Sequence, residues 1–303
     1  MKSILLKSMA ACSLLPAIAT GATASKEKAG KPNIIVILSD DLGYGDPACY
    51  GGAKLITPNI DKLAAEGVRF TSGYAPASTC SPSRYALLTG EFAWRKKVGI
   101  LPANAPITIS AETLTLPAMM KQCGYTTGIT GKWHLGLGDG NVDFNKHIKP
   151  SPNDIGFDYS YVIPATNDRV PCVYVENGNV VNLDPSDPIQ VNYNKPVGNW
   201  PTGKDHPELL KLNSLSGHNQ TIVNGIARIG YMTGGTSALW KDEEMANVIT
   251  EKAVTFIQDN YQRPFFLYFA SHNIHEPRAP GDKFRGSSGC GVYGDVIQEL
   301  DWS

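Results

Sequence analysis

The residues from Asn33 to Leu38 (Asn-Ile-Ile-Val-Ile-Leu) form a nearly unbroken branched apolar run. Such a run predicts a strand buried on both faces, ending at the polar turn Ser39-Asp40-Asp41-Leu42-Gly43-Tyr44-Gly45. Thr57-Pro58 opens a helix through Glu66 with Gly67 as its stop, and Val68 to Tyr74 reads as a further strand. Helices follow over Ser81 to Leu88, closed by Gly90, and over Leu116 to Gln122, closed by Gly124. Tyr125 to Thr130 returns as a strand. Late in the chain, Met245, Val248, Ile249, Ala253 and Phe256 recur close to the helical period within Asp242 to Asn260, and Phe265 to Ala270 reads as a buried strand. This alternation predicts an α/β fold with helices on both faces of the sheet. Between Gly136 and Trp240 the texture shifts to asparagine, aspartate, proline and glycine, which predicts a long excursion of loops and short hairpins, residues 137–240, laid over the sheet.

Composition narrows the functional classes. With 303 residues, 42% of them hydrophobic, the chain can bury a substantial core. Lysine plus arginine number 27 against 28 aspartate plus glutamate, a net charge of −1, so nothing calls for nucleic acid or an anionic membrane surface as partner. Lys2 and Lys7, the apolar stretch from Met9 to Ala22 and the small-residue site Ala22-Thr23-Ala24 predict an export signal over residues 1–24 and a mature start near Ser25. No later segment is apolar for long enough to span a bilayer, so the expected location is periplasmic or extracellular. Of the six cysteines Cys12 would leave with the signal, and the five that remain are an odd number for an exported protein. One of them is expected to have a role other than pairing.

That role falls to Cys80. In Cys80-Ser81-Pro82-Ser83-Arg84, Pro82 suits a first helical turn, which puts Cys80 at a helix N-terminus and Arg84 one turn along on the same face. A nucleophile and a cation are thereby held together. Asp40 and Asp41 follow directly on the first strand, where two adjacent carboxylates can coordinate a hard divalent cation, although an Asx turn or helix cap would use them equally well. Lys132 and His134 follow the strand ending at Thr130, and His272 and His275 follow the strand ending at Ala270. In an open α/β sheet, ligands bind beyond the carboxyl ends of the strands.

The Cys-Ser-Pro-Ser-Arg segment resembles the signature of type I sulfatases, in which the cysteine is oxidised after synthesis to formylglycine. Ser39-Asp40-Asp41-Leu42-Gly43, Thr57-Pro58-Asn59-Ile60-Asp61, Gly131-Lys132-Trp133-His134-Leu135-Gly136 and Ser271-His272-Asn273-Ile274-His275-Glu276-Pro277 resemble further segments of that family, in the family order. The resemblance covers roughly Lys31 to the last residue. It implies an alkaline phosphatase-like sulfatase fold with a mixed, mostly parallel central sheet. It implies hydrolysis of a sulfated carbohydrate or aryl sulfate, with calcium, or alternatively magnesium, held by Asp40, Asp41 and the modified Cys80. Cys80, Arg84, Lys132, His134 and His275 would be the catalytic residues, whereas His272, three residues before His275, reads as a supporting side chain or as plain loop. A formylglycine-generating or anaerobic sulfatase-maturing enzyme is the implied partner. The rival readings are a phosphatase or phosphonate monoester hydrolase of the same superfamily and a non-catalytic sulfate-binding relative. The family's later Asp-Asn metal pair has no counterpart, and the helix predicted from Gly294 ends at Ser303 without a stop signal, so residues 25–303 are expected to be the N-terminal part of a sulfatase catalytic domain.

Overall fold

The computed structural model describes residues 30–52, 54–213 and 217–303. The predicted export signal, 1–24, and the mature start near Ser25 lie outside them. Among the described residues ten strands occur in chain order: β1 (Ile34–Leu38), β2 (Thr126–Lys132), β3 (Tyr159–Ile163), β4 (Val175–Glu176), β5 (Asn179–Val180), β6 (Gln190–Asn192), β7 (Ile222–Val223), β8 (Ile226–Ala227), β9 (Tyr231–Thr233) and β10 (Phe265–Ala270). Five α-helices accompany them in the same described residues: α1 (Pro58–Glu66), α2 (Cys80–Thr89), α3 (Leu116–Gln122), α4 (Met245–Asn260) and α5 (Gly291–Trp302).

The main sheet has the order β1-β10-β2-β3-β4-β5. Its first four strands are parallel, and the β4–β5 hairpin adds two antiparallel ones at the far edge. All six residues of β10 are buried, because the strand is central and alternate side chains enter separate cores. Phe266, Tyr268 and Ala270 join Tyr85 and Leu88 of α2 and Met120 of α3 on one face. Phe265, Leu267 and Phe269 meet Met245, Ile249, Ala253 and Phe256 of α4 on the other. Between β3 and α4 the chain forms the small antiparallel pairs β6–β9 and β7–β8 rather than long elements. Strand register aligns Leu38 with Ala270 and Ala270 with Gly131, so the segments after β1, β10 and β2 emerge side by side at one edge.

Two sequence expectations fail, for related reasons. β1 is buried on one face only: Ile34, Val36 and Leu38 pack inward, whereas Ile35 and Ile37 are 46% and 56% exposed. β1 is an edge strand, and α4 packs over β2 and β10 without covering it. Val68 to Tyr74 forms no strand, and Val68, Phe70 and Tyr74 are exposed. Its β-branched and aromatic residues have strand propensity but no neighbouring strand with which to pair, and pairing decides strand formation. α5 begins at Gly291, three residues before the expected start, and Asp301 near its end caps α1. The Asp301 carboxylate accepts from the Asn59 and Ile60 amides at 3.2 and 2.8 Å, satisfying donors that the helix itself leaves unpaired.

Gly131 lies in β2 with φ +105°, and a Cβ there would stand 1.9 Å from the Ala270 carbonyl oxygen. Gly131→Ala therefore meets both backbone strain and a backbone clash next to Lys132. We expect a loss of about 3 kcal/mol or more in chemical denaturation, and a loss under about 1 kcal/mol would contradict the close approach of β2 and β10.

Candidate active site

Four loops meet where the parallel strands end. Asp40 is stitched to the segment after β10: its amide donates to the Asn273 carbonyl at 2.9 Å, its own carbonyl accepts from the Ile274 amide at 2.7 Å, and the Ser271 amide donates to the Leu38 carbonyl at 2.9 Å. Parallel pairing thus continues past the strands and brings the Asp40 and His275 loops together. α2 enters from the side with Cys80 as its first residue. Ser83 Oγ donates to the Ala77 carbonyl at 2.7 Å and secures the approach to the helix. Asp40, Asp41, Thr79, Cys80, Ser83 and Arg84 line one cavity of about 420 Å³.

The centre of the site is a buried group of charges. Lys132 Nζ donates to Asp40 Oδ2, and Arg84 Nη2 lies 3.5 Å from Asp40 Oδ1. Lys132, Arg84 and Asp40 are 0%, 1% and 5% exposed. Burial pushes the Asp40 carboxyl up, but Lys132 and Arg84 outweigh it and hold the group below the usual carboxylate range. Burial likewise lowers Lys132, against the opposing pull of Asp40. Arg84 Nη1 donates to the Lys132 carbonyl at 2.9 Å and approaches the Tyr268 hydroxyl at 3.4 Å, tying α2 to β2 and β10. Two cations face one carboxylate, so the group carries a net charge of +1. Arg84 Nε and Nη2 are buried without a hydrogen-bond partner, donors that an anion can fill.

His134 follows β2 with φ 52°, an uncommon conformation for a residue with a side chain. Its Nε2 lies 2.9 Å from the Leu101 carbonyl, which can only accept, so Nε2 carries the proton. Arg169 Nη1 donates to the same carbonyl at 2.7 Å. His134 Nδ1 is left as a bare, buried lone pair with no partner. Burial first, then Lys132 and Arg169, push the imidazole down to about 2, and it stays neutral. The Leu101 amide donates in turn to Ser81 Oγ at 3.2 Å, so this one residue straps α2 to the end of β2.

His275 is half-buried, and its Nδ1–H donates to the Glu276 carbonyl at 2.6 Å, leaving Nε2 open. It is near enough to add to the positive potential at Asp40. His272 is buried, and burial pushes it down to about 4. Asp41 is exposed, with φ 61°. As a cation site the set has the right chemistry in part: two adjacent carboxylates and the side chain of residue 80 share one cavity, and carboxylate oxygen suits a hard divalent ion. Among the described residues no three His, Cys, Asp or Glu side chains are grouped to hold a metal, and Asp40 is engaged by Lys132 and Arg84.

The segment after β3 also reaches this edge, and sequence reading passed over it. Thr166-Asn167-Asp168-Arg169 lay inside a region read as loop, although it follows a parallel strand just as the other three segments do. Position after a strand end was the available signal. Cys172, a little further on, is a buried thiol that the same burial pushes up to about 12, whereas Cys80 is half-buried at the cavity wall.

Comparison with known proteins places the chain. A family model described as Sulfatase matches residues 32–303. An N-acetylgalactosamine-6-O-sulfatase of Bacteroides thetaiotaomicron is 55% identical over 299 residues, covering 96% of this chain and 58% of that protein. Human arylsulfatase A is 35% identical over 291 residues, covering 95% of this chain and 49% of its own length. A solved Bacteroides thetaiotaomicron structure, described in the context of the metabolism of multiple glycosaminoglycans, superposes with a TM-score of 0.88 at 57% identity. It covers 90% of this chain and 57% of that one. The chain thus spans about half the length of the curated relatives it matches.

The low value for His134 has a consequence for acid stability. An unfolded histidine titrates near 6.5, so below that pH the unfolded chain binds a proton that the native imidazole refuses until about 2. Native stability therefore falls as pH drops through this window, by roughly 1.4 kcal/mol per pH unit from this one group. Urea denaturation between about pH 6 and 4 should show a shallower slope by that amount in His134→Gln; an unchanged slope would mean that the native imidazole accepts a proton as readily as the unfolded one.

Proposed function

Since the chain belongs to the sulfatase family, we propose that it is the part of an exported sulfatase that carries the nucleophile, hydrolysing sulfate esters of glycans, with 6-sulfated N-acetylgalactosamine the leading substrate. The observation that carries this reading is the buried Asp40–Lys132–Arg84 group beside Cys80: a net positive pocket with unfilled guanidinium donors at the start of a helix. Identity of 55% to an N-acetylgalactosamine-6-O-sulfatase supports the choice of substrate.

Oxidation of Cys80 to formylglycine by a maturation enzyme would supply, once hydrated, a diol hydroxyl as nucleophile toward the sulfur. A divalent cation, calcium before magnesium, held by Asp40 and Asp41, would supply further positive charge to polarise the sulfate. Lys132 and Arg84 bind the sulfate oxygens through charge-assisted hydrogen bonds and offset negative charge that develops during transfer. His134, neutral and with a bare Nδ1, would take the proton of the second diol hydroxyl once bound sulfate offsets the Lys132 and Arg169 charges that oppose its protonation, and loss of that proton lets the aldehyde re-form and expel sulfate. His275 holds a proton at Nε2 for the departing alcohol oxygen, while the Glu276 carbonyl keeps its ring oriented. The Leu101 carbonyl fixes the His134 tautomer on which the release step depends.

Mass spectrometry of the peptide containing position 80, from protein produced beside a maturation enzyme, should show the aldehyde. Cys80→Ala should abolish nearly all turnover of an aryl sulfate and of N-acetylgalactosamine 6-sulfate, and ordinary rates in that variant would sink the mechanism. Aryl phosphate assayed in parallel separates this reading from a phosphatase.

Lys132→Ala should lower kcat/KM by roughly 3 to 4 kcal/mol of transition-state binding, the range known for loss of one oxyanion donor. Chelation should reduce turnover, with calcium restoring it. Turnover indifferent to both chelator and calcium would remove the cation from the reading.

A further inference from the structure

The turn after α2 carries a surface that the proposed mechanism does not use. Phe92 and Trp94 are 51% and 67% exposed, and their rings stack with centroids 6.3 Å apart and planes 22° from parallel. Arg95 places its guanidinium carbon 4.9 Å from the centre of the Trp94 ring, and Lys96 and Lys97 are exposed after it. Large aromatic rings left in water forgo the burial that stabilises a fold, so two of them stacked side by side mark a contact surface.

The charge of this turn differs from that of the whole molecule. The chain carries a net charge of −1, yet the stretch from Phe92 to Ala111 holds three cations and no acid. Glu91, just before it, accepts from the Tyr85 hydroxyl at 3.5 Å. Elsewhere on the surface Lys62, Lys146 and Lys241 each have a carboxylate partner three or four residues away. Among the described residues Arg95, Lys96 and Lys97 form no ion pair of that kind. The turn itself is firmly held: Ala93 is buried, the Val98 amide donates to the Ala93 carbonyl at 3.0 Å, and the Lys97 amide donates to the Trp94 carbonyl at 3.2 Å. Lys97 adopts φ 57°, a conformation that glycine would take with less strain, and the residue found there adds a third cation.

We propose that Phe92, Trp94, Arg95, Lys96 and Lys97 form a docking surface for an anionic polysaccharide chain, separate from the catalytic cavity. The flat face of a sugar ring presents C–H bonds that pack on an aromatic ring, while sulfate or carboxylate groups along the chain pair with guanidinium and ammonium groups. A run of basic residues beside exposed aromatic ones offers both contacts at once. α2 runs from Cys80 to Thr89, so the turn stands about 15 Å along the helix axis from the proposed nucleophile, a separation that several linked sugar units can bridge. A long chain held there raises the effective concentration of its own sulfate esters at the cavity, an advantage that a single sugar does not gain. The choice of a glycan over another polyanion rests on the reading of the chain as a glycan sulfatase.

Binding to immobilised chondroitin 6-sulfate chains tests the surface, with the protein left unmatured so that no turnover intervenes. Trp94→Ala and the double variant Lys96→Gln/Lys97→Gln, all at exposed positions, should each weaken binding of the polymer by roughly ten-fold. Trp94→Phe should recover most of the loss. Added salt should weaken the parent more steeply than the double variant, since fewer charges are then left to screen. An excess of N-acetylgalactosamine 6-sulfate should leave the polymer bound. Unchanged affinity in both variants, full displacement by the monosaccharide, or tighter binding to phosphatidylserine vesicles than to the polymer would overturn the proposal. If the polymer binds as expected while matured protein hydrolyses no sulfate ester, the docking surface stands and the reading as a sulfatase fails. Aryl sulfate hydrolysis with polymer binding indifferent to the substitutions sinks the docking surface alone.

Discussion

The buried ion group of Asp40, Lys132 and Arg84 is the interaction around which the active edge is organised. Its members come from three elements, the turn after β1, the end of β2 and the first turns of α2. Charges this deeply buried are costly unless each finds a partner, so removing Asp40 would leave two buried cations uncompensated. Here the requirement is met by mutual pairing and by the bond from Arg84 to the Lys132 carbonyl. The same pairing holds Asp40 ionised and leaves one positive charge in excess. A group that anchors three elements thereby also has a charge balance that suits an anion.

The sheet supplies the rigidity that such a group needs. Parallel pairing of β1, β10 and β2 in register delivers the ends of the strands to one line. Hydrogen bonds beyond the strands, between Asp40 and the Asn273-Ile274 segment, continue that order into the loops. Close backbone approach at Gly131 seats Lys132 beside Ala270, where only a residue without a side chain fits. The uncommon backbone of Asp41 and His134 occurs where the strands end, and the surrounding hydrogen bonds offset the strain.

His134 shows how a tertiary contact sets the chemistry of a side chain. An imidazole can place its proton on either nitrogen, and the Leu101 carbonyl decides between them. The cations Lys132 and Arg169 then keep the ring neutral. Leu101 lies between the elements that carry Ser81 and His134, so one apolar residue acts through its backbone alone.

Much of this architecture is legible in the chain itself. Apolar runs, helix stops and turn residues are local signals, and they mark β10, α2, α3 and α4 because the physical cause of each element, periodicity and capping, lies within the element. The segments bearing Asp40, Cys80, Lys132 and His275 carry the same kind of local signal, as polar residues that follow strands or open a helix. What local signals cannot carry is which surfaces meet. Ile35 and Ile37 are as apolar as their neighbours, yet only the position of α4 leaves them uncovered. Val68 to Tyr74 has the composition of a strand and no neighbour to pair with. The partners of Asp40 lie 44 and 92 residues away in sequence, and Arg169, which no motif marks, reaches His134 across 35. Such encounters depend on the packing of the whole sheet, and for that reason the residue types are written in the sequence while their partners, tautomers and charge states are decided by the tertiary structure.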